Sequence, residues 1–115
     1  MLEIRVEQVT RDEVVVVIRG ELDCATSSEL RAAITALLNR GGISAIGLDL
    51  RAVGLLDSIG IGTLVVAQRI CHQVGVRLRL TATSAFAARL LRVTGVAETL
   101  GLPAGTDETE LVNTA

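Results

Sequence analysis

Two polar residues, Asp57 and Ser58, stand in a segment that is otherwise greasy: Val53, Leu55, Leu56, Ile59 and Ile61 crowd around them. A merely solvated loop is more polar than this. The pair falls where a helix is expected to begin, and two roles are open to it. Asp57 or Ser58 can simply cap the helix, contributing about 1 kcal/mol. Alternatively, the Ser58 hydroxyl can accept a phosphoryl group, which would lie on free backbone N–H groups at the positive end of the helix dipole. The fold would tolerate such a group. It would nevertheless place about −1.5 to −2 charges in an apolar patch, costly to desolvate against a partner.

The remaining chemistry is sparser. Asp23 lies in a loop just before another helix, either as a turn residue or as a rim charge beside Ser58, if both loops share one end of a sheet. Gly60 and Gly62 serve either close helix–sheet packing or the close approach of a partner's backbone. The Gly-Ile-Gly run lacks the spacing of a dinucleotide loop or a P-loop. His72 is the only histidine. It stands far along the chain from Ser58, and no nucleophile-elbow pattern surrounds the serine. Cys24, Cys71 and His72 do not make a four-ligand metal set. No carboxylate pair is spaced for acid–base work. The expectation is a chain with no catalytic residue, metal or cofactor of its own.

The elements that must position these residues follow from periodicity. Leu2, Ile4 and Val6 alternate with charges, giving a half-buried strand, and Val14 to Ile18 reads as a strand buried on both faces. The polar run Arg11-Asp12-Glu13 joins them as a hairpin. Thr26 and Glu29 have capping-box spacing, and the helix that follows buries Leu30, Ile34, Leu37 and Leu38 before ending at Arg40-Gly41-Gly42. A third strand is expected over Ile43 to Leu50, then a loop from Arg51 to the Asp57-Ser58 helix start. That helix runs to about Val74 and stops at Gly75. Val76, Leu78 and Leu80 alternate with Arg77 and Arg79 in a fourth strand. Ser84 caps a third helix with Phe86, Leu90 and Val93 on its inner stripe and Gly95 past its end. Ala97 to Leu102 suggests a short edge strand, and Asp107 with Glu110 a last short helix. The order β-β-α-β-α-β-α, with a terminal β and α, describes one α/β domain over residues 1–115, with parallel neighbours after the first hairpin.

Composition excludes several function classes. The chain has 115 residues, half of them hydrophobic, with a net charge of −2 and Phe86 as its sole aromatic residue. All cationic residues are arginine, scattered from Arg5 to Arg92. Direct nucleic-acid binding is not expected without a basic patch or stacking platform. The charged N-terminus does not read as a signal peptide. The longest apolar stretch, Ile59 to Ala67, is too short to span a bilayer, so no membrane role is expected. Two distant cysteines call for no disulfide framework and fit a cytoplasmic setting.

Gly20-Glu21-Leu22-Asp23-x-x-Thr26, together with Leu48-Asp49-Leu50 and Leu56-Asp57-Ser58-x-Gly60-Ile61-Gly62-x-Leu64, resembles the bacterial anti-sigma factor antagonist family, built on the STAS domain. Leu90-Leu91-Arg92-Val93-Thr94-Gly95-Val96 is similar to that family's third-helix ending, so the resemblance covers nearly the whole chain. It implies a STAS-like mixed sheet of four or five strands with helices mainly on one side. It implies that the unphosphorylated form binds an anti-sigma factor with serine kinase activity and so releases a sigma factor. Ser58 maps to the phosphoacceptor, and the partner surface maps to Asp23, Thr26, Asp57, Ser58, Ile59, Gly60 and Gly62. The kinase would supply ATP and Mg²⁺, and a serine phosphatase would reset the switch. Ile59 departs from the family, which commonly has Ser or Thr there; a second hydroxyl is lost and the patch is greasier. The family also includes STAS subunits with structural roles in larger signalling complexes or lipid-transport ABC complexes, which is the alternative reading.

Overall fold

A computed structural model describes residues 1–102. Its elements are β1 (Leu2–Gln8), β2 (Glu13–Leu22), α1 (Ser27–Arg40), β3 (Ala45–Leu56), α2 (Ser58–Gln73), β4 (Arg77–Thr83) and α3 (Ala85–Val93). The strands form one sheet in the order β1-β2-β3-β4. The hairpin β1/β2 is antiparallel, with Ile4 opposite Ile18, whereas β2/β3 and β3/β4 are parallel. Strand–helix alternation after the hairpin produces this mixed sheet, as expected for crossover connections.

The alternation of burial shows that only one face of the sheet is fully covered. Val14, Val16 and Ile18 of β2 are buried, as are Leu78 and Leu80 of β4. On the other face Val15 and Val17 are half-buried, and Arg77 and Arg79 are exposed. The expectation that β2 is buried on both faces is corrected accordingly. Branched aliphatic residues of β2 and β3 pack with Leu30, Ile34, Leu37, Leu64 and Leu91 from the helices into one core. Leu38 packs at its margin, only partly buried.

Four further expectations change. β3 does not stop at Leu50: it continues to Leu56 because the end of β2 keeps pairing with it across register shifts, Gly20 with Val53 and Leu22 with Leu56. The segment 51–56 is therefore strand, not loop, with Val53 and Leu56 facing the core. Ala97 to Leu102 is a set of turns and not an edge strand. Leu100 O accepts one β4 amide, from Leu80, but Leu102 donates back to Ala97 O and closes a turn. The sheet thus has four strands. The α3 stripe is inverted: Ala87, Ala88 and Leu91 are buried, while Phe86 and Val93 point outward and Leu90 is only partly buried. Finally, Thr26 precedes α1 but its side chain makes no capping bond to the helix. The short helix expected at Asp107 and Glu110 lies outside the described residues.

Candidate docking end around Ser58

Parallel pairing of β2 with β3 brings Leu22 opposite Leu56, so the chain leaves both strands side by side. The segment 23–26 and the Asp57-Ser58 pair therefore share one end of the sheet, as the rim reading of Asp23 required. This is the carboxyl end of the parallel strands, where α/β folds place their sites.

Asp57 is the cap. Its backbone is extended, with φ −102° and ψ −178°. Its Oδ1 accepts the Gly60 N–H at 2.8 Å, and its Oδ2 accepts the Cys24 N–H at 3.2 Å. Its own N–H donates to Leu22 O at 3.3 Å. The carboxylate thus satisfies one of the orphan amides at the start of α2 and ties that start to the neighbouring loop. Ser58 is left as the first helical residue, exposed, and its hydroxyl has no hydrogen-bond partner among the described residues.

The Asp23 loop is internally braced. Asp23 Oδ1 accepts N–H groups from Ala25 at 3.0 Å and Thr26 at 3.1 Å, and also the Thr26 hydroxyl. Thr26 Oγ1 in turn lies 2.7 Å from Glu21 O and 3.1 Å from the Asp23 amide. These bonds draw the Thr26 side chain away from α1, which is why the capping box does not form. Asp23 stays half-exposed, whereas Thr26 is buried.

The glycines separate into different roles. A Cβ on Gly60 would sit on the carbonyl oxygen of Leu22, so only glycine lets α2 start this close to β2. A Cβ on Gly62 would meet nothing within 4 Å. Gly60 and Thr26 therefore shape the end from behind, and Asp23, Asp57, Ser58, Ile59 and Gly62 form its surface. Ile59, Gly62 and Val66 follow one another at helical spacing along the outer face of α2. Ile59 is 52% and Val66 36% exposed, and Leu55 at the tip of β3 is 41% exposed. Leu55 was already marked in the sequence as part of the apolar surround of Asp57-Ser58, whereas Val66 was not; its spacing from Ile59 and Gly62 was the available signal.

Catalytic partners for Ser58 are not assembled. His72 lies in the last turn of α2, about 21 Å along the helix at 1.5 Å per residue. No group of His, Cys, Asp or Glu able to hold a metal occurs among the described residues. Cys71 is buried, which pushes its thiol up to about 11, and Cys24 is exposed beside the site. Among the described residues, no helix is long and apolar enough to cross a membrane.

Comparison with known proteins places this geometry. A family model described as Mlab, STAS domain, matches residues 6–103. An anti-sigma F factor antagonist of Lysinibacillus sphaericus is 28% identical over 95 residues, covering 83% of this chain and 81% of the relative. The unphosphorylated anti-sigma factor antagonist SpoIIAA superposes with a TM-score of 0.71 at 26% identity, over 84% of each chain. The phosphorylated form of SpoIIAA, a Bacillus cell fate determinant, gives 0.66 at 26% identity, over 84% of this chain and 86% of that one. An anti-sigma factor antagonist from Mycobacterium paratuberculosis gives 0.78 at 26% identity, covering 96% of this chain and 94% of the other.

Proposed function

The chain belongs to the STAS domain family, and from that premise we propose that it is an anti-sigma factor antagonist whose docking end is switched off by phosphorylation of Ser58. The observation that carries this reading is the division of labour at the head of α2. Asp57 caps the helix, so the exposed Ser58 hydroxyl is not needed for the fold. Around it lie Leu55, Ile59, Gly62 and Val66, an apolar surface with no role in the core.

The unphosphorylated form docks an anti-sigma factor through this surface and releases the sigma factor held there. The anti-sigma factor is itself a serine kinase and brings ATP and Mg²⁺. Ser58 Oγ attacks the γ-phosphorus, its proton passes to a base of the kinase, and ADP leaves. The chain supplies only the hydroxyl. The dianion then stands among apolar side chains that a partner must desolvate, so docking fails while the domain stays folded. A serine phosphatase hydrolyses the ester and restores docking. Support for a switch without refolding comes from the similarity of this chain to both the unphosphorylated and phosphorylated forms of SpoIIAA.

The test is affinity capture with ATP present, phosphosite mapping, and titration of the captured kinase with Ser58→Ala and Ser58→Asp. Ser58→Ala is expected to bind constitutively. Ser58→Asp is expected to bind at least about 100-fold more weakly, the range for an unpaired charge desolvated at an interface. Equal binding by both removes Ser58 as the switch and leaves the other reading, a STAS subunit with a structural role in a larger complex.

A further inference from the structure

Across the open face of the sheet, one row of residues lacks bulk. Arg79 of β4, Gly47 of β3, Val15 of β2 and Glu7 of β1 stand side by side, each paired with the next. Gly47 brings no side chain, and a Cβ there would collide with Cγ2 of Thr81 and come within 3.4 Å of Cγ2 of Val15. The result is a shallow trough lined by Val9, Val15, Gly47, Arg77, Arg79 and Thr81. Val9 is 58% exposed and Val15 half-buried. The trough lies near the start of β3, nine residues before Leu56, and so about 30 Å from the docking end.

The charges of this face are matched except at the trough. Arg5 pairs with Glu7, Arg19 with Glu3 and Arg51 with Asp49. Arg77 reaches Glu13 only at 3.9 Å, and Arg79 has no partner among the described residues. The chain itself holds the complement. All eleven cationic residues fall within 1–102, whereas 103–115 carry Asp107, Glu108 and Glu110 and no cation.

The backbone is delivered to the edge of the trough. Leu100 O accepts the Leu80 amide at 2.8 Å on the outer side of β4. Gly101 lies against Arg79, where a Cβ would stand 2.9 Å from the arginine Cβ. From Leu102, the nine residues to Leu111 can span about 30 Å. Two strand spacings, about 10 Å, separate Arg79 from Val15. The order along the chain also matches the order across the face. The carboxylates of 107, 108 and 110 precede Leu111 and Val112, as Arg79 precedes Val15 on the way in from the edge. A tethered segment needs little intrinsic affinity, because its effective concentration is of the order of millimolar. A second copy or a separate protein must displace it.

We propose that this chain's own segment 107–112 docks across the trough, with its carboxylates on Arg79 and Arg77 and with Leu111 and Val112 on Val15. The contact withdraws apolar side chains from solvent on a face that is otherwise charged. It does not use Ser58, so it stands apart from the phosphorylation reading.

Nuclear magnetic resonance on the full-length, methyl-labelled chain tests this. Nuclear Overhauser contacts are expected from the Leu111 and Val112 methyls to those of Val15 and Thr81, unchanged by dilution and weakened by added salt. Arg79→Glu should abolish them, and adding Glu108→Arg and Glu110→Arg to that variant should restore them. Ser58→Asp should leave them as they are. Contacts to Phe86 and Val93 instead, contacts found only between labelled and unlabelled copies, or no contacts at all overturn the proposal. If Arg79→Glu does not fold, Leu111→Ser with Val112→Ser takes its place. That variant should shift the signals of Val9, Val15 and Gly47, and shifts elsewhere or none overturn the proposal equally.

Discussion

The backbone amide of Cys24 donates to Oδ2 of Asp57 at 3.2 Å, across 33 residues of chain. The same carboxylate holds the Gly60 amide at 2.8 Å. One side chain therefore sets both the start of α2 and the position of the neighbouring loop. Asp57→Ala should lose both bonds and cost about 2 kcal/mol, the sum of a cap and a second charge-assisted bond. Asp57→Asn can keep Oδ1 on Gly60 but turns an amide nitrogen toward the Cys24 N–H, so it should cost about half as much. Urea unfolding gives the two losses. Hydrogen exchange separates them: in Asp57→Asn, protection falls at Cys24 and persists at Gly60.

Gly60 and Gly62 should respond to alanine with opposite signs. At Gly60 the new methyl meets the Leu22 carbonyl, which is backbone and cannot move aside. Gly60→Ala is expected to destabilise by about 1–3 kcal/mol, as for other overpacked sites. At Gly62 the methyl enters open space in a helix, and Gly62→Ala should stabilise by up to about 1 kcal/mol through helix propensity. Melting temperatures of the two variants check this, and equal losses in both would contradict it.

Much of this end was legible because its signals are local. An Asp-Ser pair at a helix start, followed by glycine, announces itself within a few residues, and so did the strand–helix order. What was missed depends on partners distant in sequence. The third strand was expected to end at Leu50 with a loop from Arg51, but β2 continues alongside and pulls residues 51–56 into the sheet. Thr26 had the spacing of a cap, yet the carbonyl of Glu21 and the carboxylate of Asp23 claim its hydroxyl. In α3, hydrophobicity marked Phe86, Leu90 and Val93, whereas the face laid on the domain is Ala87, Ala88 and Leu91. Periodicity weighs side chains by greasiness; a helix seated close to its neighbours favours small ones.

Stability should depend on acid through Asp49, which lies on the uncovered side of the sheet and is nevertheless buried. Arg51 covers it, with Nη2 at 2.7 Å from Oδ2 and Nε at 3.1 Å from Oδ1. That guanidinium, opposed by partial burial, holds the Asp49 carboxyl below its ordinary value of 3.8. The folded chain therefore binds this proton less readily than the unfolded chain. The resulting stabilisation is fully present above the ordinary carboxylate range and is lost as pH falls through the lowered folded value. Asp49→Asn should be less stable than the parent at about pH 7, and the gap should narrow as pH falls below the ordinary carboxylate range and close only beneath the lowered folded value. Urea midpoints across that range measure it; a gap independent of pH would assign the loss to packing instead.

A negative charge at Ser58 should leave the domain standing. The native hydroxyl has no hydrogen-bond partner among the described residues, so Ser58→Asp sacrifices none. At the first helical position the new carboxylate meets the positive end of α2, favourable by about 0.3–1 kcal/mol. The half-buried Asp57 next to it opposes as a like charge, by about 1 kcal/mol at close range in a largely aqueous dielectric. The two nearly cancel, so stability should change by less than about 1 kcal/mol, or within roughly 4–8 °C in melting temperature for a domain of this size. Added salt should narrow even that difference, since both terms are screened. Calorimetry of Ser58→Asp and of the wild type in low and high salt makes the comparison. A loss of several kcal/mol would mean that the charge acts by disrupting the head of α2, and a switch confined to the docking surface would no longer explain the effect.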